Sequence, residues 1–223
     1  TVTISNVSRQ IELFDLLKSN LKSIKFLISF ISLFFCVLGS SVYAAEDRSK
    51  DMKIIYKLLQ EKKFDEGIQQ LQALSENNNI KAQLLISKIF LTGDLTPQDF
   101  QNSYFWASSA LLGGLKKSEK ILEKLSNYLT EKQINEIKDK LKIFLEKRAI
   151  NNDKRAIVQI AKLYENYLDP PDMINAYTWY NIAVAKGIKS AKAKRDEILN
   201  ELNEKDLLEA QSLSFKLFKQ INN

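Results

Sequence analysis

The chain has no histidine and a single cysteine, Cys36. Within these residues an imidazole base, a His-containing zinc site and an internal disulfide are therefore excluded. Glycine and proline are scarce too, six and three in 223 residues, which leaves little for a turn-rich β architecture. No block of lysines and arginines interleaved with aromatics occurs, so nucleic acid is not an expected partner. No metal, nucleotide or redox cofactor is implied, and no Ser-Lys or paired-carboxylate motif sits on matched elements. What remains is helix-forming: 45% of the residues are hydrophobic and 27% charged, rich in Leu, Ile, Lys, Glu, Gln and Ala. The net charge is +6, a modest excess for a solvated surface.

Residues 21–44, LKSIKFLISFISLFFCVLGSSVYA, hold the one long apolar run. Lys22 and Lys25 flank it, and Val42, Tyr43 and Ala44 put small residues at the two positions a signal peptidase reads. This is the pattern of a secretory leader cleaved after Ala44, which places the protein in the periplasm or outside the cell. An uncleaved anchor with the repeats outside the cytoplasm is the alternative, because Phe26 to Ala44 carries no charge and is just long enough for one span. Phe34 and Phe35 before Cys36 argue against a lipoprotein. Residues 1–20 form an undefined extension with a weakly amphipathic run.

Downstream, the chain repeats itself. NSYFWASSALLGG at 102–114 returns as NAYTWYNIAVAKG at 175–187, pairing Trp106 with Trp179 and Gly114 with Gly187 at a spacing of 73. LSNYLTEKQINEIKDKL at 125–141 matches ILNELNEKDLLEAQSLS at 198–214 at the same spacing. The spacing is 74 only upstream of the tryptophans, where Ala82 pairs with Ala156, so a loop absorbs the slip. A duplicated unit whose apolar face needs a neighbour implies an all-α solenoid of stacked antiparallel helix pairs. The expected organisation is a helical hairpin over 50–79, a first repeat unit over 80–150 and a second over 151–223. Thr130 with Gln133 three residues later predicts a capping box at the start of the last helix of the first unit.

AQLLISKIFLTGDLTPQDFQNSYFWASSALLGG and AIVQIAKLYENYLDPPDMINAYTWYNIAVAKG resemble the Sel-one-like repeat, a relative of the tetratricopeptide repeat. Asn166 and Tyr167 stand where that family has a loop glycine, and Ser103 where it has alanine. The resemblance covers residues 82–114 and 156–187. It implies a right-handed, tetratricopeptide-like superhelix and a scaffold for a protein or peptide partner, in the bacterial periplasm or at a host interface. A structural subunit of an envelope complex and a cell-wall-directed enzyme are the other readings.

The site candidates follow from this. Trp106 and Trp179, among small residues at mid-helix, together with Gly114 and Gly187, read as structural repeat positions. Phe105 and Tyr180 read first as packing residues and second as candidate aromatic anchors for a peptide on a concave face. Lys186 and Lys189 belong to a basic cluster with Lys192, Lys194 and Arg195 that reads first as a solvated face, tempered by Asp196 and Glu197, and second as a surface for an acidic partner. Asp94 with Asp99, and Asp169 with Asp172, flank the two loops; acids there are expected to cap helices rather than to catalyse.

Overall fold

The computed structural model describes residues 50–222. The leader or anchor at 21–44, the extension at 1–20 and Cys36 lie outside the described residues. The chain divides into a unit Thr1–Lys53 and a unit Ile54–Asn223, and the second is an all-helical solenoid of stacked antiparallel helix pairs. In order come α1 (residues 50–60), α2 (Phe64–Glu76), α3 (Ile80–Thr92), α4 (Phe100–Leu112), α5 (Glu119–Ser126), α6 (Glu131–Ile150), α7 (Lys154–Lys162), α8 (Met173–Ala185), α9 (Lys192–Leu199) and α10 (Glu204–Asn222). No strand occurs among the described residues.

The 73-residue spacing persists in three dimensions: α4 and α8, the short 3-10 turns Lys116–Ser118 and Lys189–Ala191, α5 and α9, and α6 and α10 all start 73 residues apart. The slip to 74 falls where α7 ends in a π turn, Leu163–Tyr167, while α3 runs straight to Thr92. α6 packs against both α4 and α7, so it closes the first set of helices and opens the second.

Short polar signals set the helix ends. Asn79 and Asp153 each accept two backbone N–H bonds at the starts of α3 and α7, and Asp99 and Asp172 cap α4 and α8. The Thr130–Gln133 capping box is present at α6. Pro97 thus lies outside α4, with Asp99 as the residue that starts it. Reversal after a helix uses one left-handed residue: Lys62, Asn78, Gly114, Asn152 and Gly187 have φ of 60°, 58°, 99°, 63° and 81°. At each, the next N–H reaches five residues back, as from Leu115 to Ala110 and from Ile188 to Ala183, which satisfies carbonyls the helix leaves open.

The central helices α4 and α8 carry no charged residue between Phe100 and Leu112 or between Met173 and Ala185. A helix apolar nearly all round belongs inside, and Ala176 to Tyr180 are all buried. Trp106 and Trp179 are buried among the helices as well. Helices approach closely where residues are small: Ser87 and Ser103 meet between α3 and α4, both without solvent exposure.

Candidate functional site

A groove of about 550 Å³ lies between the start of α4, the α5–α6 turn and α6. Its apolar side is Phe100, Phe105, Tyr128, Leu129 and Ile137. The Phe100 and Tyr128 rings lie 4.9 Å apart, and Tyr128 is 58% exposed. Phe105 is held edge-on by Trp106 and Phe144, at 4.9 and 5.6 Å between ring centres. Four carboxamides rim these rings, Gln98, Gln101, Asn102 and Gln133, with the Lys140 ammonium at one side. Three are fixed by their own bonds: Gln98 donates to the Leu91 carbonyl at 2.8 Å, Asn102 donates to Asp99 at 2.7 Å, and Gln133 Oε1 accepts from the Thr130 N–H at 2.9 Å. Each carboxamide offers both a donor and an acceptor, which is what an extended peptide backbone requires.

The second copy does not reproduce this groove. At the positions of Gln98, Gln101, Phe105, Tyr128, Gln133 and Lys140 stand Pro171, Ile174, Thr178, Glu201, Asp206 and Leu213. Thr178 Oγ1 donates to the Ala210 carbonyl at 3.2 Å and Ser214 Oγ to the Thr178 carbonyl at 3.3 Å, which ties α10 onto α8. The duplication therefore does not carry this groove over to the second copy.

Of the anchors expected from sequence, Phe105 lines the groove and Tyr180 does not. Tyr180 is only 2% exposed, and its hydroxyl donates to Glu165 Oε2 at 2.6 Å. That corrects the reading of Tyr180 as a surface anchor: the middle of α8, Ala176 to Tyr180, is buried throughout, so a neighbour of Trp179 also points into the core. Burial and then the Glu165 carboxylate push the Tyr180 phenol above its ordinary pKa. The basic cluster is partly neutralised. Lys194 Nζ lies 3.1 Å from Glu165 and 2.9 Å from Glu197, and Arg195 pairs with Asp196. Lys186 donates to Asn222 Oδ1 at 2.6 Å and lies over the Phe218 ring, while Lys189 is exposed on its 3-10 turn. Neither lysine lines the groove. The carboxamide rim escaped the sequence reading because its members come from three separate elements and share no local spacing.

A buried polar seam joins the two copies. Asn78 Nδ2 donates to Gln159 Oε1 at 2.7 Å and Asp153 Oδ2 at 3.1 Å, Gln83 Nε2 donates to Asn78 Oδ1 at 3.2 Å, and Gln159 Nε2 donates to the Ser109 carbonyl at 3.0 Å. Burial opposes the charge on Asp153, but bonds from Asn78, the Ala156 N–H and Arg148 prevail and hold its carboxyl below the usual range. Among the described residues no cluster of three or more Cys, Asp or Glu side chains could hold a metal ion, and no helix is long and apolar enough to cross a membrane.

No protein-family model matches the chain, and no curated protein matches it. Among solved structures it is similar to the crystal structure of a protective antigen present in uropathogenic Escherichia coli strains displaying an SLR fold. The two are 15% identical, with a TM-score of 0.34, over 70% of this chain and 41% of that one. The chain thus spans less than half the length of this distant, partial structural relative.

Proposed function

We propose that this protein is an exported helical-repeat scaffold that holds an extended segment of a partner protein in the groove of its first copy. The observation that carries this is the ring of four carboxamides around exposed and half-buried aromatic side chains. Aromatic rings supply contact area at low entropic cost, and the carboxamides pair with peptide N–H and C=O groups. Export rests on the leader pattern at residues 21–44, and a bacterial envelope or host interface is the setting it suggests.

Two measurements test this. A panel of unstructured peptides is screened against the protein, and hits are remeasured with Tyr128→Ser and Gln101→Ala. Both residues are exposed, so the variants are expected to fold and to weaken binding at least tenfold; hits unaffected by either variant overturn the groove. An intact mass beginning at Ala45 supports export, and a full-length mass in the cytoplasmic fraction overturns it.

A structural subunit of an envelope assembly is the second reading. It is favoured by Leu208 and Phe215, 60% and 63% exposed and seven residues apart on one face of α10.

A further inference from the structure

A second cavity, about 200 Å³, lies between α8 and α10 and is lined by Asn181, Ile182, Ala185, Gln211, Ser214, Phe215 and Phe218. Stepping back 73 residues from each gives Ser108, Ser109, Leu112, Lys138, Leu141, Lys142 and Leu145. Those positions of α4 and α6 form the face on which the first copy receives α7 and its π turn. Ser108 is hydrogen-bonded to the Tyr167 hydroxyl, the Ser109 carbonyl accepts from Gln159 at 3.0 Å, and the Leu112 carbonyl accepts from Lys162 at 3.4 Å. The Lys138 ammonium lies 5.5 Å from the Tyr167 ring centre. Leu112, Leu141 and Leu145 share one core with Ile157 and Ile160 of α7. The cavity is thus the same socket one copy further along, with Phe215 63% exposed beside it.

We propose that this face binds a single amphipathic α-helix of a partner protein, inserting an aromatic side chain and carrying carboxylates on its flanks. Continuity with the α7 interface identifies a helix as the occupant. One helix suffices, because α6 both precedes α7 and forms part of the first socket, and α10 already holds the position of α6. An incoming copy that kept its own α2–α3 order would bring a helix into the space of α10. The aromatic anchor follows from the polar groups that surround Tyr167 in the first socket, where Asn181 and Gln211 stand in the second. Charge sets the flanks. Lys186 lies 5.4 Å from the Phe218 ring centre and Lys219 4.5 Å from that of Phe215, and between Ser212 and Asn222 there is no acidic residue. The socket lies apart from the groove, so the proposal stands or falls separately from the peptide reading.

The test titrates the protein with a 16-residue peptide of residues 153–168 carrying Lys154→Glu and Arg155→Glu, followed by NMR of α8 and α10 and by calorimetry. Saturable binding is expected, weakened at least tenfold by Phe215→Glu, a change at an exposed position, and unchanged by Tyr128→Ser in the groove. The unmodified peptide is expected to bind more weakly, and added salt to weaken the acidic one, as rim lysines require. No saturation, binding that survives Phe215→Glu, or binding lost with Tyr128→Ser each overturns the proposal. Self-association of the protein abolished by Phe215→Glu, with no peptide binding, overturns it in favour of a second copy as occupant.

Discussion

Ser87 and Ser103 exchange hydrogen bonds across the α3–α4 contact: each hydroxyl donates to the other residue's carbonyl, at 2.9 and 2.8 Å. The second copy has Ala161 and Ala176 at these positions, also without exposure. The shared requirement is small volume, and the hydroxyls are satisfied because they could not be left unpaired there. Replacing both serines by alanine is therefore expected to change stability by less than about 1 kcal/mol. Ser103→Leu overpacks the contact and should cost about 1–3 kcal/mol or more. Chemical denaturation of both variants decides between bonding and volume as the constraint.

Lys62 adopts a left-handed backbone with φ of 60° without the freedom of glycine or the local bonding of asparagine. Lys62→Gly should stabilise the protein by about 0.5–1 kcal/mol, the relief of about 1–2 kcal/mol of left-handed strain less glycine's larger unfolded-state entropy. Asn78→Gly should not, although φ there is 58°. Its carboxamide bridges Gln83, Gln159 and Asp153, and losing it strands buried groups at about 1–3 kcal/mol. Thermal melts of the two variants are expected to move in opposite directions.

Much of this fold is legible in the sequence. Trp106 with Trp179 and Gly114 with Gly187 mark the register, and Thr130 and Gln133 mark a helix start, because caps and left-handed turns are local chemistry. Tyr180 is the instructive exception. Its position beside Trp179 suggests two faces, whereas the lack of any charge from Met173 to Ala185 is the better signal, since a helix of that composition buries most of its surface. The groove's carboxamides and the seam from Asn78 to Gln159 depend on residues up to 81 apart, and no periodicity reports such meetings.

Asp153 links stability to acid. Its folded carboxyl titrates below the ordinary value of about 3.9, so the stabilisation is present above that pH and is lost as pH falls through the lower folded value. Asp153→Asn should lower stability at pH 7 and flatten its dependence below about pH 4. A variant as acid-sensitive as the parent would place the effect elsewhere.

The Glu165 side chain is nearly buried, with Tyr180 and Lys194 as its partners. Glu165→Ala strands the Tyr180 hydroxyl and should cost about 2–3 kcal/mol. Lys194→Ala should cost less, because that ammonium is 45% exposed and screened by water. Tyr164, Tyr167 and Tyr180 all have phenols raised above their usual value, chiefly by burial. Their contribution is complete below about pH 10 and is lost as pH rises beyond it. Melting temperature measured from pH 8 to 12 is expected to fall once pH 10 is passed.

α6, which touches α4 on one side and α7 on the other, makes the two copies partners rather than neighbours. In a nearest-neighbour description of a repeat array, the coupling between units is an interface energy. Here that coupling is a covalent helix serving both units, so neither can unravel without removing a wall from the other. Loosening of one copy removes support from the other, so the two are expected to melt in one shared transition rather than in two steps.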